Sequence, residues 1–197
     1  AILFLLLESI GMPAVKPAEI VSVRAGAYLT VESTRKNATV GQEVSKGNRI
    51  ETDAYGRLSL LLPDHALLKI SSETRFVYDG VEGNRRSWFL DKGKVWLRGL
   101  FKKGPFNVRT PTAVIGVRGT EWYMTVAPDG TTTVGVVDGK VKVENPYGNL
   151  FLDSRELALI QPGRAPVKSA YLMPENAVNW TLKYRGLWDQ ADLERAD

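Results

Sequence analysis

The sequence predicts an all-β fold of stacked antiparallel hairpins, sandwich- or solenoid-like, followed by a short C-terminal helix. Two observations carry the β prediction. Apolar residues alternate with polar ones in runs of three to five, enriched in β-branched and aromatic types, which is the pattern of a half-buried strand. The runs recur at short spacing and are separated by turn residues, an arrangement that fits a sandwich, barrel or solenoid better than an α/β enzyme. A third observation limits the β region. After Pro166 the pattern changes to apolar residues at helical spacing.

The strands follow in order. Ile20–Val23, Tyr28–Val31, Leu58–Leu62, Leu67–Ile70, Phe76–Tyr78, Val95–Leu97 and Phe106–Val108 alternate in the first part of the chain. Trp122–Val126, Thr133–Val137, Val141–Val143 and Leu157–Ile160 continue the series. Between them lie Asp79-Gly80, Asp91-Lys92-Gly93, Asp129-Gly130, Asp138-Gly139 and Pro146-Tyr147-Gly148-Asn149. Aspartate and glycine tolerate the positive φ of tight hairpin turns, so each of these reads as a chain reversal. Pro174-Glu175-Asn176 then starts a helix, with proline and an acid in its first turn. Ala177, Val178, Trp180, Leu182, Tyr184, Leu187, Trp188, Ala191 and Leu193 supply its apolar positions. The expectation is that the original protein continues into helical structure, the alternative being a self-contained helix packed on the β domain.

Ahead of the first strand, Ala1–Leu7 is an uninterrupted apolar run followed by Gly11, Pro13 and Ala14. A bilayer span takes about 20 residues, so this run forms no membrane span. It reads as the end of a secretory signal peptide, with cleavage after Ala14 or Ala18 and a periplasmic or cell-surface destination. The alternative is an ordinary buried helix turn or strand. The domain division is therefore 1–18 leader-like, 19–169 β domain, and 170–197 linker and start of a helical region.

Composition restricts the function. The chain has 197 residues, no cysteine and one histidine, His65. Disulfides, thiol catalysis and cysteine metal sites are thereby excluded, and no histidine cluster can form. The net charge of +4 is spread along the chain rather than gathered in a basic stripe, so no nucleic-acid partner is expected. Ser71, Ser72 and Ser87 have no nucleophile-elbow sequence around them, and phosphate-cradling glycine loops do not occur. Glu121 and Asp138 could meet across strands, but carboxylates are common on exposed strand faces. The expectation is a non-enzymatic protein with no cofactor and no bound metal.

Three stretches resemble the FecR domain of bacterial envelope regulators. Gly47–Leu60 is similar to its glycine-led turn and short strands, with Pro63-Asp64-His65 where the family more often has Asp-Gly. The most specific stretch is Phe106–Trp122, with Thr110-Pro111, a small apolar run, then Val117-Arg118-Gly119-Thr120 followed by Glu121 and Trp122. Val136–Asn145 resembles its late hairpin. A departure is Asp153-Ser154-Arg155-Glu156, where the family often places a glycine turn. The resemblance implies an extracytoplasmic signalling module whose partner is an envelope protein. The cytoplasmic sigma-binding segment of FecR itself has no counterpart here, so the likeness is to secreted members, some of which continue into tetratricopeptide repeats.

The residues of the hallmark read mainly as scaffold. Thr110-Pro111 sets an extended backbone. Gly116 and Gly119 permit a bend, bulge or close approach, and Thr120 bonds to freed backbone groups. Arg118, Glu121 and Trp122 are the candidate partner contacts, joined by the basic–aromatic stretch Arg85, Arg86 and Trp88. The latter, with Arg98–Lys103, also suits a carbohydrate-binding or adhesion module acting on a cell-wall or surface glycan. A competing reading places Trp88, Phe89, Leu100 and Phe101 in the core with the charges reaching outward.

Overall fold

A computed structural model of the chain describes residues 17–63, 65–82, 85–99 and 106–169, with backbone only at 80–82, 85–86 and 118–120. The leader-like run and the C-terminal helix expected from the sequence lie outside the described residues. Fifteen strands occur among them and no helix. They are β1 (Ala18–Arg24), β2 (Ala27–Val31), β3 (Thr34–Asn37), β4 (Glu43–Val44) and β5 (Arg49–Thr52). Then come β6 (Arg57–Leu61), β7 (Leu67–Ile70), β8 (Arg75–Glu82), β9 (Arg85–Arg98) and β10 (Phe106–Arg109). The last five are β11 (Val114–Val126), β12 (Thr132–Asn145), β13 (Gly148–Asp153), β14 (Leu157–Ile160) and β15 (Val167–Ser169).

The pairings arrange these strands in two layers. Layer A runs β15-β14-β12-β11-β9-β7-β6-β1-β4, and layer B runs β13-β12-β11-β10-β9-β8-β5-β2-β3. Three long strands, β9, β11 and β12, belong to both. β11 pairs β9 through Glu121–Val126 in layer A, but pairs β10 through Val114–Val117 in layer B. β12 pairs β14 through Thr132–Gly135 and β13 through Lys140–Asn145. The all-β expectation is met, and the arrangement is a sandwich whose layers share continuous strands.

This sharing corrects several turns read from the sequence. Asp91-Lys92-Gly93 lies inside β9 and Asp138-Gly139 inside β12, with Gly93 at φ 102° and Gly139 at φ 98°. Asp79-Gly80 lies inside β8, where its register with β9 shifts between Tyr78 and Gly80. The positive φ of Gly93 and Gly139, read as a reversal, instead bends a strand that continues. Asp129-Gly130 and Pro146–Asn149 do reverse the chain, between β11 and β12 and between β12 and β13. Gly93 is fixed twice over, because a Cβ there would come within 2.3 Å of Thr74 Oγ1 and 2.4 Å of Thr74 Cα.

One pairing departs from the antiparallel expectation. β10 runs parallel to the layer B half of β9, Phe106 opposite Arg86 and Arg109 opposite Phe89. Parallel neighbours ordinarily need a crossover of about a dozen residues or more. The link 99–105 is shorter because β9 itself makes part of the crossing, entering in layer B and leaving in layer A.

The core lies between the layers. Alternate residues of most strands face it, as in Leu58, Leu60, Leu68, Ile70, Val95 and Leu97 from layer A. Leu29, Ile50, Phe76, Trp88, Phe106, Val108 and Ile115 face it from layer B. Fully burying such a side chain stabilises the fold by about 1.5–3 kcal/mol, which is how a strand period of two becomes two packed sheets.

Candidate interaction surface

The hallmark stretch sits where β11 changes layers. Register between β11 and β12 breaks between Arg118 and Glu121, so Gly119 and Thr120 span the crossing. Gly116 is different from what the sequence led one to expect. It lies in regular pairing with Asn107 and Lys142, and a Cβ there would meet its nearest atom at an ordinary 3.5 Å. The bend belongs to the next glycine along the motif.

Folding β11 over brings its two ends together, and three threonines join them. Thr110 Oγ1 accepts from the backbone N–H groups of Ala113 (3.1 Å) and Thr112 (3.3 Å), closing the turn at exposed Pro111. Thr132, at the start of β12, donates from Oγ1 to Thr110 Oγ1 at 3.0 Å and lies 2.8 Å from Thr112 Oγ1. Thr112 Oγ1 also lies 3.0 Å from the Gly130 carbonyl. Asn145 Nδ2 donates to the carbonyls of Thr112 (3.3 Å) and Arg164 (2.7 Å). Thr110 closes this turn together with Thr112, Thr132 and Asn145, which sequence reasoning did not select.

Trp88 and Trp122 are not surface contacts. Trp88 is 2% exposed, set edge-on to Phe76 and Phe106 at centroid distances of 5.1 and 4.3 Å. Trp122 is 0% exposed, with Phe106 at 6.5 Å. Both face the inter-layer core because they occupy inward positions of β9 and β11, where burial of a large ring outweighs any surface role. Partner contact through either ring is therefore withdrawn, and with it the aromatic platform of the glycan reading. Of the basic–aromatic stretch, Phe89 instead lies on the outer face, 6.0 Å below the Arg109 guanidinium. The side chains of Arg85, Arg86 and Arg118 lie outside the described residues; Arg118 is placed by its backbone opposite Lys140.

Glu121 does reach the outer face of layer A. Its Oε1 accepts from Trp96 Nε1 at 3.2 Å, and Oε2 lies 3.7 Å from Arg98 Nε. Asp138 is its register partner on β12, as the spacing anticipated, but the Glu121 carboxylate is already engaged by Trp96 and Arg98. Among the described residues no group of acids and histidine has the geometry of a metal site.

The outer faces of the two layers differ in character. Layer B carries an ion-pair ladder from Arg35 to Glu51 (3.6 Å), Glu51 to Arg75 (3.2 Å) and Arg75 to Asp91 (2.8 Å). Arg109–Asp79 and Lys140–Asp153 continue it, and such exposed pairs each contribute about 0–1 kcal/mol. Layer A presents a row in register across its strands, namely Ser59, Lys69, Trp96, Tyr123, Gly135 and Leu157. Trp96 and Tyr123 are 4% and 8% exposed, yet neither belongs to the inter-layer core. Tyr123 lies flat over Gly135, where any Cβ would fall within 2.2 Å of its ring. Burial pushes the Tyr123 phenol up to about 12 and the Lys69 ammonium down to about 8. The sequence held a signal for this second buried surface. Val95-Trp96-Leu97 and Trp122-Tyr123-Met124 are unbroken apolar runs, the mark of strands covered on both sides.

The architecture defines a β-sandwich module built from hairpins, with a bent strand at its hallmark motif and an apolar outer face. Residues 48–142 match the family model described as FecR protein. The match to the FecR family thus falls on the region that the three stretches occupy. Two crystal structures of a candidate anti-sigma factor from Parabacteroides distasonis ATCC 8503 share the fold, each with a TM-score of 0.58 and 21% identity. They cover 70% of this chain, which spans 65% and 64% of theirs. No curated protein matches the chain. Among the described residues no helix is long and apolar enough to cross a membrane.

Proposed function

We propose that this chain is a non-enzymatic regulatory module that acts outside the cytoplasm by binding an envelope protein, in signalling or as a scaffold. The observation that carries the reading is the FecR match over residues 48–142. FecR domains are regulatory, and the fold likeness to a candidate anti-sigma factor agrees with that class. Export is supported by the leader-like run Ala1–Leu7 directly ahead of the β domain. The contact is assigned to the end of layer A where β9 and β11 meet. There Arg98 is largely exposed beside Glu121, close in sequence to the hallmark Arg118.

The test is affinity capture from the envelope fraction of the source cell, with the full chain as bait. An Arg98→Glu, Arg118→Glu chain with an unchanged circular dichroism spectrum is the comparison. The expected result is one dominant protein partner, lost with the charge-reversed chain and rebound by the original when both are purified. A partner retained equally by both chains would remove the contact from this corner. Retention of glycan with no protein would overturn the reading itself.

A further inference from the structure

The apolar outer face of layer A has no described element over it. All fifteen described strands are accounted for within the two layers, yet Trp96 and Tyr123 are almost fully inaccessible. Leu61, Leu67, Leu157 and Leu159 share that face, and none of them is exposed. A sheet with one face on the core and the other in water would alternate apolar with polar, as layer B does. Layer A behaves as a sheet covered on both sides.

We propose that this face is the docking surface for the chain's own C-terminal segment, residues 170–197, folded as an amphipathic helix. Three observations select this occupant. First, the chain leaves the β domain beside the face. β15 is the edge strand of layer A, and Ser169 pairs with Leu157 in the same register row as Tyr123 and Trp96. Ser169 is four strand steps from Trp96, roughly 19 Å at about 4.8 Å per step. A helix over 175–193 would be about 28 Å long, enough to lie across the row.

Second, the segment carries an apolar stripe at helical spacing. Ala177, Trp180, Tyr184, Leu187, Trp188 and Ala191 recur every three or four residues and share one helix face. Third, the charges are complementary. The segment has five acids (Glu175, Asp189, Asp192, Glu194, Asp197) and three bases (Lys183, Arg185, Arg195), hence a net charge of −2. By register the face it would meet bears Arg24, Arg57, Lys69, Lys94 and Arg98 against Glu19, Glu43, Glu121 and Asp138, a small positive excess gathered around Trp96. This inference rests on observations other than those behind the envelope-partner reading, although Arg98 and Glu121 border both surfaces. It makes the helical region part of the β domain's own packing.

The test uses the full chain, which has no native cysteine to interfere. Ser59→Cys places a thiol at the end of the Trp96 row, and Thr30→Cys places one on the outer face of layer B. Each is combined with Ala177→Cys or Ala191→Cys on the stripe and treated with a short bis-maleimide. The expected result is a cross-link within one chain for Ser59→Cys, forming at least about tenfold faster than for Thr30→Cys, because docking raises the effective concentration. Adding Trp180→Asp and Leu187→Asp should abolish that advantage while the β spectrum is retained. Equal rates from the two faces would overturn the proposal. So would cross-links formed only between chains, which would assign the face to a second copy. An advantage that survives the aspartate pair would equally overturn docking through the stripe.

Discussion

The threonine cluster at the ends of β11 allows a quantitative prediction about the hallmark motif. Thr132→Val keeps the shape of a fully buried side chain and replaces its hydroxyl with a methyl group. Two hydrogen bonds are lost, to Thr110 Oγ1 (3.0 Å) and Thr112 Oγ1 (2.8 Å). Neither partner is orphaned. Thr112 can direct its proton to the Gly130 carbonyl at 3.0 Å, and Thr110 still accepts from Ala113 N–H at 3.1 Å. The cost is therefore near the net value of two bonds, about 1 kcal/mol each, less a part recovered by burying a methyl in place of a hydroxyl. We expect a destabilisation of about 1–2 kcal/mol, or a fall of roughly 2–8 °C in Tm for a domain of this size. Urea unfolding followed by tryptophan fluorescence measures the first quantity, and calorimetry the second. A double-mutant cycle with Thr110→Val should show coupling of at least about 0.5 kcal/mol. Strict additivity of the two changes, or a Thr132→Val chain as stable as the original, would refute the assignment of this cluster as the clamp between the layers.

Three other perturbations follow from the same structure. Gly93→Ala combines φ 102° with a Cβ driven into Thr74, so it should cost about 3 kcal/mol or more, read as a lowered urea midpoint; a loss below about 1 kcal/mol would mean that β9 does not bend there. Glu32 turns the β2–β3 hairpin at φ 54°, a conformation costly for a side chain, so Glu32→Gly should raise stability by about 0.5 kcal/mol despite the looser unfolded chain. Lys69 binds fewer protons folded than unfolded between its folded value of about 8 and its ordinary value of 10.5, so stability should rise with pH across that window. Lys69 is partly solvated, which reduces the effect to the order of 1 kcal/mol. Lys69→Met should flatten the rise between pH 8 and pH 9, below the range where ionisation of Tyr123 in the unfolded chain begins to act in the opposite direction.

The residues of the hallmark show how far a sequence can be read. Thr110-Pro111 and Val117–Thr120 point to the family and its all-β class without coordinates, because local backbone demands select those residue types wherever they occur. Strand positions were legible for the same reason. Side chains at a period of two, with Asp-Gly pairs between them, leave little choice but short half-buried strands.

What those Asp-Gly pairs do was settled by tertiary structure. Positive φ at Gly93 and Gly139 serves a hairpin turn or a bend equally well, and only the strands packed on either side decide which. Burial of Trp88 and Trp122 was undecidable for a related reason. Residue type gives the hydrophobic drive, but the face toward which a ring points depends on register, and a shift of one residue would turn both outward. Conversely, Trp96 and Tyr123 needed the pairing of six strands before they could be seen as one row outside the core. The sequence by itself thus determined which residues favour strands, which tolerate unusual backbone, and which family they resemble, because these are local properties. The layer each strand joins and the residues that meet across the chain were decided by tertiary structure, since they depend on contacts between segments distant in sequence.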